Sequence, residues 1–345
     1  MVSSSASSHE YFACAVLILL CLTGALQAEE AMTDSQSPGI QWTITPFIEY
    51  RISEYVLEGP PSREPAFDLF SGVDRPSNGF RLFTNSRIPL YGIRASGQTG
   101  KHRLSLALAS SMGRIKKGSS GDYDFYGHPW IKIRDNASQP LTNFRDTNHV
   151  TTGAYNWSLS WSDLTRKEDR VDFQYSYLLK NSELTFGLHY AYWKDRFVDG
   201  PPFYVQHSRA FLQPDGRSLS LANNQYLISI SYQYTFALTP SVDLYPGLGL
   251  MGGWTTVTDY HPYRTLHVYS STLGWGANLS LGLGYEFAQD HKLALSFIQE
   301  RYYSAGELEA RGGFSFEDRL MSLRGAQVYI NYATRKLRLE YEIRF

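Results

Sequence analysis

The chain has 345 residues with 32 basic and 33 acidic side chains, a formal net charge of −1. That balance excludes a reader of phosphate backbones, which needs a basic surplus, and with it nucleic acid as a partner. Both cysteines, Cys14 and Cys21, stand close to the N-terminus, so thiol nucleophiles, CxxC metal sites and disulfides are excluded from everything that follows them.

Residues 1–28 read as a secretory signal: an apolar run from Phe12 to Leu22, then Thr23, Gly24 and the stretch Ala25 to Ala28 ahead of two glutamates. The run is shorter than the about 20 apolar residues of a membrane-spanning helix. A lipoprotein site at Cys21 does not fit, because Leu20 precedes it where a small residue is needed. Cleavage removes one acid, Glu10, and leaves residues 29–345 formally neutral, thiol-free and expected to fold as one domain.

No later stretch is long and apolar enough for a transmembrane helix, and segments of period two recur instead. His102 to Ser110 alternates Leu104, Leu106 and Leu108 with small or polar residues, and Leu184 to Trp193 and Gln225 to Phe236 continue the pattern. Gly274 to Phe287, Lys292 to Ile298 and Gln327 to Tyr332 repeat it. The last nine residues are the cleanest case: Leu337, Leu339, Tyr341, Ile343 and Phe345 share one face, and Arg338, Glu340, Glu342 and Arg344 share the other. A charged row behind an apolar row suits a strand between lipid and a wet lumen.

The chain carries 25 Tyr, 19 Phe and 7 Trp. Trp42, Tyr50, Trp193, Trp254, Tyr302 and Tyr303 stand near segment ends, as in the aromatic girdles of a membrane barrel. Three polar stretches, Gly59 to Gly79, Gly113 to His149 and Arg196 to Leu221, are too long for hairpin turns and read as loops. At roughly 10 membrane residues per strand, the expected fold is an all-β transmembrane antiparallel barrel of about ten strands with long extracellular loops.

Two short pairs carry the chemistry: Asp122 and Asp124 in GDYDF, and Asp259 and His261 in TDYHPY. Residues i and i+2 of a strand share a face, so each pair presents two polar groups to one side. Asp259 can orient the His261 ring and stabilise its charged form, while Asp122 and Asp124 form a carboxylate couple. A water between the pairs could be deprotonated, a divalent cation could be bound instead, and each pair alone also reads as lumen polarity. Spacing does not separate these readings.

The segment from Gly113 to Phe125, with Asp122, Tyr123, Asp124 and Phe125, resembles the DxDW segment of the omptin family of outer-membrane proteases. Asp259, Tyr260 and His261, followed by Pro262, Tyr263 and Arg264, resemble that family's DxH segment. The likeness runs from Ser53 to Phe345 and is patchy between the motifs. It implies an outer-membrane endopeptidase with its cleft at the extracellular rim, acting on peptides or proteins next to basic residues. His261 would be the general base, Asp259 its orienting partner, Asp122 a holder of the attacking water and Asp124 a support for Asp122. No covalent intermediate, metal or other cofactor is implied.

The resemblance also makes Glu54 the counter-charge for a basic substrate residue, while Val257 replaces the second acid of that pocket. Lipopolysaccharide is implied as an activating partner through Tyr192 and Arg196, with Lys194 where an acid is usual. His149, shortly after Asp146, matches a loop histidine and reads as a structural hydrogen-bonding group. Lys116 with Lys117 and Arg166 with Lys167 are dibasic pairs in expected loops, where self-cleavage could occur. A non-catalytic adhesin or channel is the competing expectation. A lipid hydrolase using His267 and Ser270 is disfavoured, because the two have opposite strand parity.

Overall fold

The computed structural model describes residues 39–59, 66–67, 74–75, 78–126, 155–198, 204–206, 209–211, 217–261, 265–312 and 326–345. The segment expected to be a signal, and Asp146 and His149, lie outside the described residues.

The strands, in chain order, are β1 (Gln41–Gly59), β2 (Ala66–Phe67), β3 (Asp74–Arg75), β4 (Asn78–Thr99), β5 (His102–Ser110), β6 (Ile115–Tyr126), β7 (Tyr155–Leu178) and β8 (Ser182–Val198). They continue as β9 (Tyr204–Gln206), β10 (Arg209–Phe211), β11 (Arg217–Tyr234), β12 (Phe236–Thr239), β13 (Val242–His261), β14 (Leu266–Ala288), β15 (His291–Gly312) and β16 (Ala326–Arg344). Antiparallel pairing runs β1-β16-β15-β14-β13-β11-β8-β7-β5-β4, and β1 pairs with β4 to close the sheet. The result is the expected ten-strand barrel with β12 as an added edge piece. β5 and β6 share one position in the ring, since both pair with β4 and β7. Between them Met112 (φ 49) and Gly113 (φ 127) take backbone conformations that L side chains rarely adopt.

Short turns such as Gly100–Lys101 and Gln289–Asp290 lie at one end, and there the Phe345 N–H donates to the Trp42 carbonyl at 2.9 Å. The longer connections leave the other end. They are shorter than the sequence suggests, because β6 carries the expected Gly113–His149 loop onward as strand as far as Tyr126. Toward the turn end, the outward positions of β1, β13, β14 and β16 carry exposed Ile48, Leu248, Leu250, Leu281, Leu283, Leu337 and Leu339. A continuous apolar surface of this kind is the lipid-facing band of a membrane barrel.

Inward positions stack in layers. Nearest the turns is a polar cavity of about 620 Å³. Across it lies a charge layer: Arg51 bonds Glu49 and Glu168, Arg338 Nε donates to Glu49 Oε2 at 2.9 Å, and Lys336 bonds Glu300. Nearer the loops the section fills with Leu57, Leu82, Leu164, Phe197 and Leu221 and with Trp193, whose ring stacks on Tyr332 at 5.2 Å and meets Tyr55 edge-on at 6.0 Å. Within that core Arg166 grips Asp195 with two bonds of 2.7 Å and Thr84 Oγ1 at 3.1 Å, and one carboxylate–guanidinium fork keeps both buried charges partnered.

Candidate active site at the loop end

β13 carries the dyad to the mouth. Its odd-numbered residues face inward at this end, where Thr255, Val257 and Asp259 are buried, and His261 ends the strand two residues later. His261 Nε2 lies 2.9 Å from Asp259 Oδ2. A carboxylate only accepts, so Nε2 carries a proton, and in the neutral ring Nδ1 is left as the acceptor. Asp259 Oδ1 is buried with no hydrogen-bond partner among the described residues. In register, the neighbours of the dyad are apolar: Leu221 and Val268 oppose Asp259, and Leu266 opposes His261. A carboxylate in so dry a wall leans on the imidazole for its remaining stabilisation.

Asp122 and Asp124 stand on β6 at alternate positions after the buried Ser120. Asp122 opposes Leu82 on β4 and Ser160 on β7, and Asp124 opposes Phe80 and Ser158. Around the ring β6 is four strand positions from β13 one way and six the other, so the two pairs occupy nearly opposite sides of the mouth.

A family model described as "Putative porin" matches residues 70–341. The chain belongs to this family. Among solved structures, the outer-membrane protease OmpT from Escherichia coli superposes with a TM-score of 0.60 at 12% identity, covering 91% of this chain and 99% of that one. The translocator domain of the autotransporter NalP from Neisseria meningitidis gives a TM-score of 0.34 at 9% identity, covering 98% and 99%. OprG from Pseudomonas aeruginosa gives 0.31 at 9% identity, covering 90% and 98%. No curated protein matches the sequence. Fold and family together make this chain a bacterial outer-membrane barrel.

In this family barrel the remaining expected residues fall on the outside. Glu54 is exposed on the outer face of β1, whose odd-numbered residues, Ser53 and Tyr55 among them, take the inner face. The expected pocket role of Glu54 is thereby corrected: a carboxylate behind the barrel wall cannot counter a charge held at the inner face beside Asp259. Val257 does line that inner face.

Tyr192 and Arg196 also face outward, on β8, beyond the apolar band. Around them stand cations the sequence did not connect. Lys167 on β7 is directly opposite Lys194, with Arg114 and Arg196 near enough to act on both Tyr192 and Lys194. Partial burial, then Arg196 and Arg114, hold Lys194 below the ordinary lysine range. Lys167 keeps one acid, Asp169, at 3.2 Å. Like charges directly opposite one another on a sheet repel unless an anion is shared between them. Only strand register reveals the cluster.

The dibasic pairs are not in loops: Lys116 and Lys117 lie on β6, and Arg166 with Lys167 lies inside β7, its Arg fully buried. Self-cleavage there would require unfolding the barrel wall. His267 faces outward, stacked on Tyr260 at 4.4 Å, while Ser270 is buried inside, which separates that pair as strand parity predicts.

Proposed function

We propose that the protein is an endopeptidase of the bacterial outer membrane, with its site in the mouth at the loop end, facing outward from the cell. The reading rests on one observation, the 2.9 Å bond of His261 Nε2 to Asp259 Oδ2 at the end of β13, nearly opposite the Asp122 and Asp124 positions. Asp259 fixes the tautomer, His261 Nδ1 takes a proton from water, and the hydroxide attacks the peptide carbonyl while Asp122, backed by Asp124, holds that water. The fold shared with the OmpT protease and the motif resemblance to omptins support it. No metal is required, so a chelator leaves turnover unchanged. With Glu54 outside and Val257 inside, a basic residue at the cut is not favoured, and apolar side chains suit the wall of Leu221, Val257 and Val268. The cations around Tyr192 and Arg196 hold lipid A phosphates, which act as an activating partner.

The test is a peptide library digested by refolded protein with lipopolysaccharide, read by mass spectrometry beside His261→Ala and Asp122→Ala. Cuts lost in both variants support the reading; no cuts from a heat-modifiable, folded barrel overturn it. The family description favours a second reading, a solute channel. Single-channel current in a planar bilayer from the wild-type chain, without peptide cleavage, would establish that one instead.

A further inference from the structure

The strongest unassigned feature lies at the other end of the lumen. Asp172 on β7, His189 on β8 and Ser229 on β11 occupy three neighbouring strands and line the same cavity. Asp172 is directly opposite His189, and its Oδ1 lies 2.8 Å from His189 Nδ1. On the far edge of the ring, His189 Nε2 lies 2.7 Å from Ser229 Oγ. The carboxylate can only accept, so Nδ1 carries a proton, and in the neutral ring Nε2 accepts from the serine hydroxyl. This is the polarity that activates a serine nucleophile.

The local sequence makes room for it. Ser229 pairs with Gly187, not with His189, so the ring must lean across the Gly187 position to reach the hydroxyl. A Cβ at Gly187 would run into both His189 Nε2 and Ser229 Oγ. Glycine here keeps the His–Ser bond short. Gln174, paired with Gly187 from its other side, also lines the cavity and carries amide N–H groups, the kind of donor a developing oxyanion needs.

We propose that Ser229, His189 and Asp172 form a second hydrolytic centre, acting on small, uncharged carboxylic esters that enter from the turn end. The cavity, about 620 Å³, is of small-molecule size. Its wall cations are already engaged: Arg94 with Glu340, Arg103 with Glu183, Arg338 with Glu49 and Lys292 with Asp243. Paired walls offer no surplus charge to an ionic substrate. The cavity reaches Gln98, Thr235, Lys292 and Arg344 beside the turns, and the charge layer and aromatic core separate it from the loop end.

In the reaction, Ser229 Oγ attacks the ester carbonyl carbon as its proton passes to His189 Nε2. The tetrahedral adduct collapses, the C–O bond to the alcohol breaks, and the leaving oxygen takes the proton from Nε2. Water repeats the sequence: its proton goes to Nε2, its oxygen to the acyl carbon, and Ser229 leaves with the proton returned. One ester and one water become one acid and one alcohol.

The experiment treats the folded, detergent-solubilised protein with a fluorophosphonate probe, maps the adduct by peptide mass spectrometry, and follows 4-nitrophenyl acetate hydrolysis in parallel. The expected result is an adduct on Ser229 whose formation falls roughly 100-fold in His189→Gln and persists in His261→Ala, with ester turnover lost in Ser229→Ala. An adduct-free Ser229 in the folded wild-type chain overturns the proposal, as does labelling that His189→Gln leaves unchanged. The wild-type measurement needs no variant to fold. Because His261→Ala separates the two sites, failure here leaves the peptidase reading untouched, and the reverse also holds.

Discussion

The two ends of the lumen are built on opposite principles. Toward the loops the inward positions are filled with Trp193, Tyr55, Tyr332, Phe197 and leucines, a packed core around one Arg166–Asp195 pair. Toward the turns they carry glycines, serines and charged side chains around an open cavity. The same alternating backbone produces both, so side-chain volume at inward positions decides whether a barrel section is a plug or a pocket. A dry, close-packed floor suits a dyad that must hold one geometry at the mouth. A roomy polar chamber suits a small solute.

The largest test of this contrast is chemical. Asp259→Ala removes the partner that fixes the His261 tautomer and is expected to lower the proposed peptidase turnover by roughly 10³-fold, within the range for general acid–base groups. Ser229→Ala should leave it unchanged; equal losses in both would mean that the two ends do not act separately. Next in size is the charge layer. Glu49→Ala strips Arg51 and Arg338 of a shared buried acid and is expected to cost about 3–5 kcal/mol in denaturant unfolding from micelles. A shift below 1 kcal/mol would mean water already reaches that layer.

Trp193→Ala removes the ring stacked on Tyr332 and should cost about 3 kcal/mol or more. If the core is the plug, the same variant raises ion conductance in a planar bilayer above the wild-type level. Gly187→Ala is a finer probe: it should end fluorophosphonate labelling of Ser229 with turnover at the mouth unaltered. Smallest is Lys194→Glu, which places an acid opposite Lys167 and is expected to weaken the proposed lipopolysaccharide activation by about 10-fold, a change of about 1.4 kcal/mol.

Much of this was legible in the chain. Leu337 to Phe345 announces its two faces, and Arg338 and Glu340 do turn inward to Glu49 and Arg94 while Leu337 and Leu339 face lipid. Asp259 and His261 could be paired from their spacing, because i and i+2 share a face in any strand. Glu54 was misread because a motif match carries no side of the wall, and one residue of parity reverses it. Arg166 was misread as a loop residue because a buried Arg looks like an exposed one until Asp195 appears across the strand pair. Asp172, His189 and Ser229 are separated by 17 and 40 residues, with no local pattern joining them.

The class of fold is written in the chain, since period-two alternation and aromatic ends are local properties that each strand carries alone. So is the meeting of Asp259 with His261. Which strands are neighbours, and in what register, is not local and comes from the folded barrel. Register is set by the whole ring closing on itself, so it alone placed His189 between a carboxylate and a serine, set Lys167 against Lys194 and sent Glu54 to the outside.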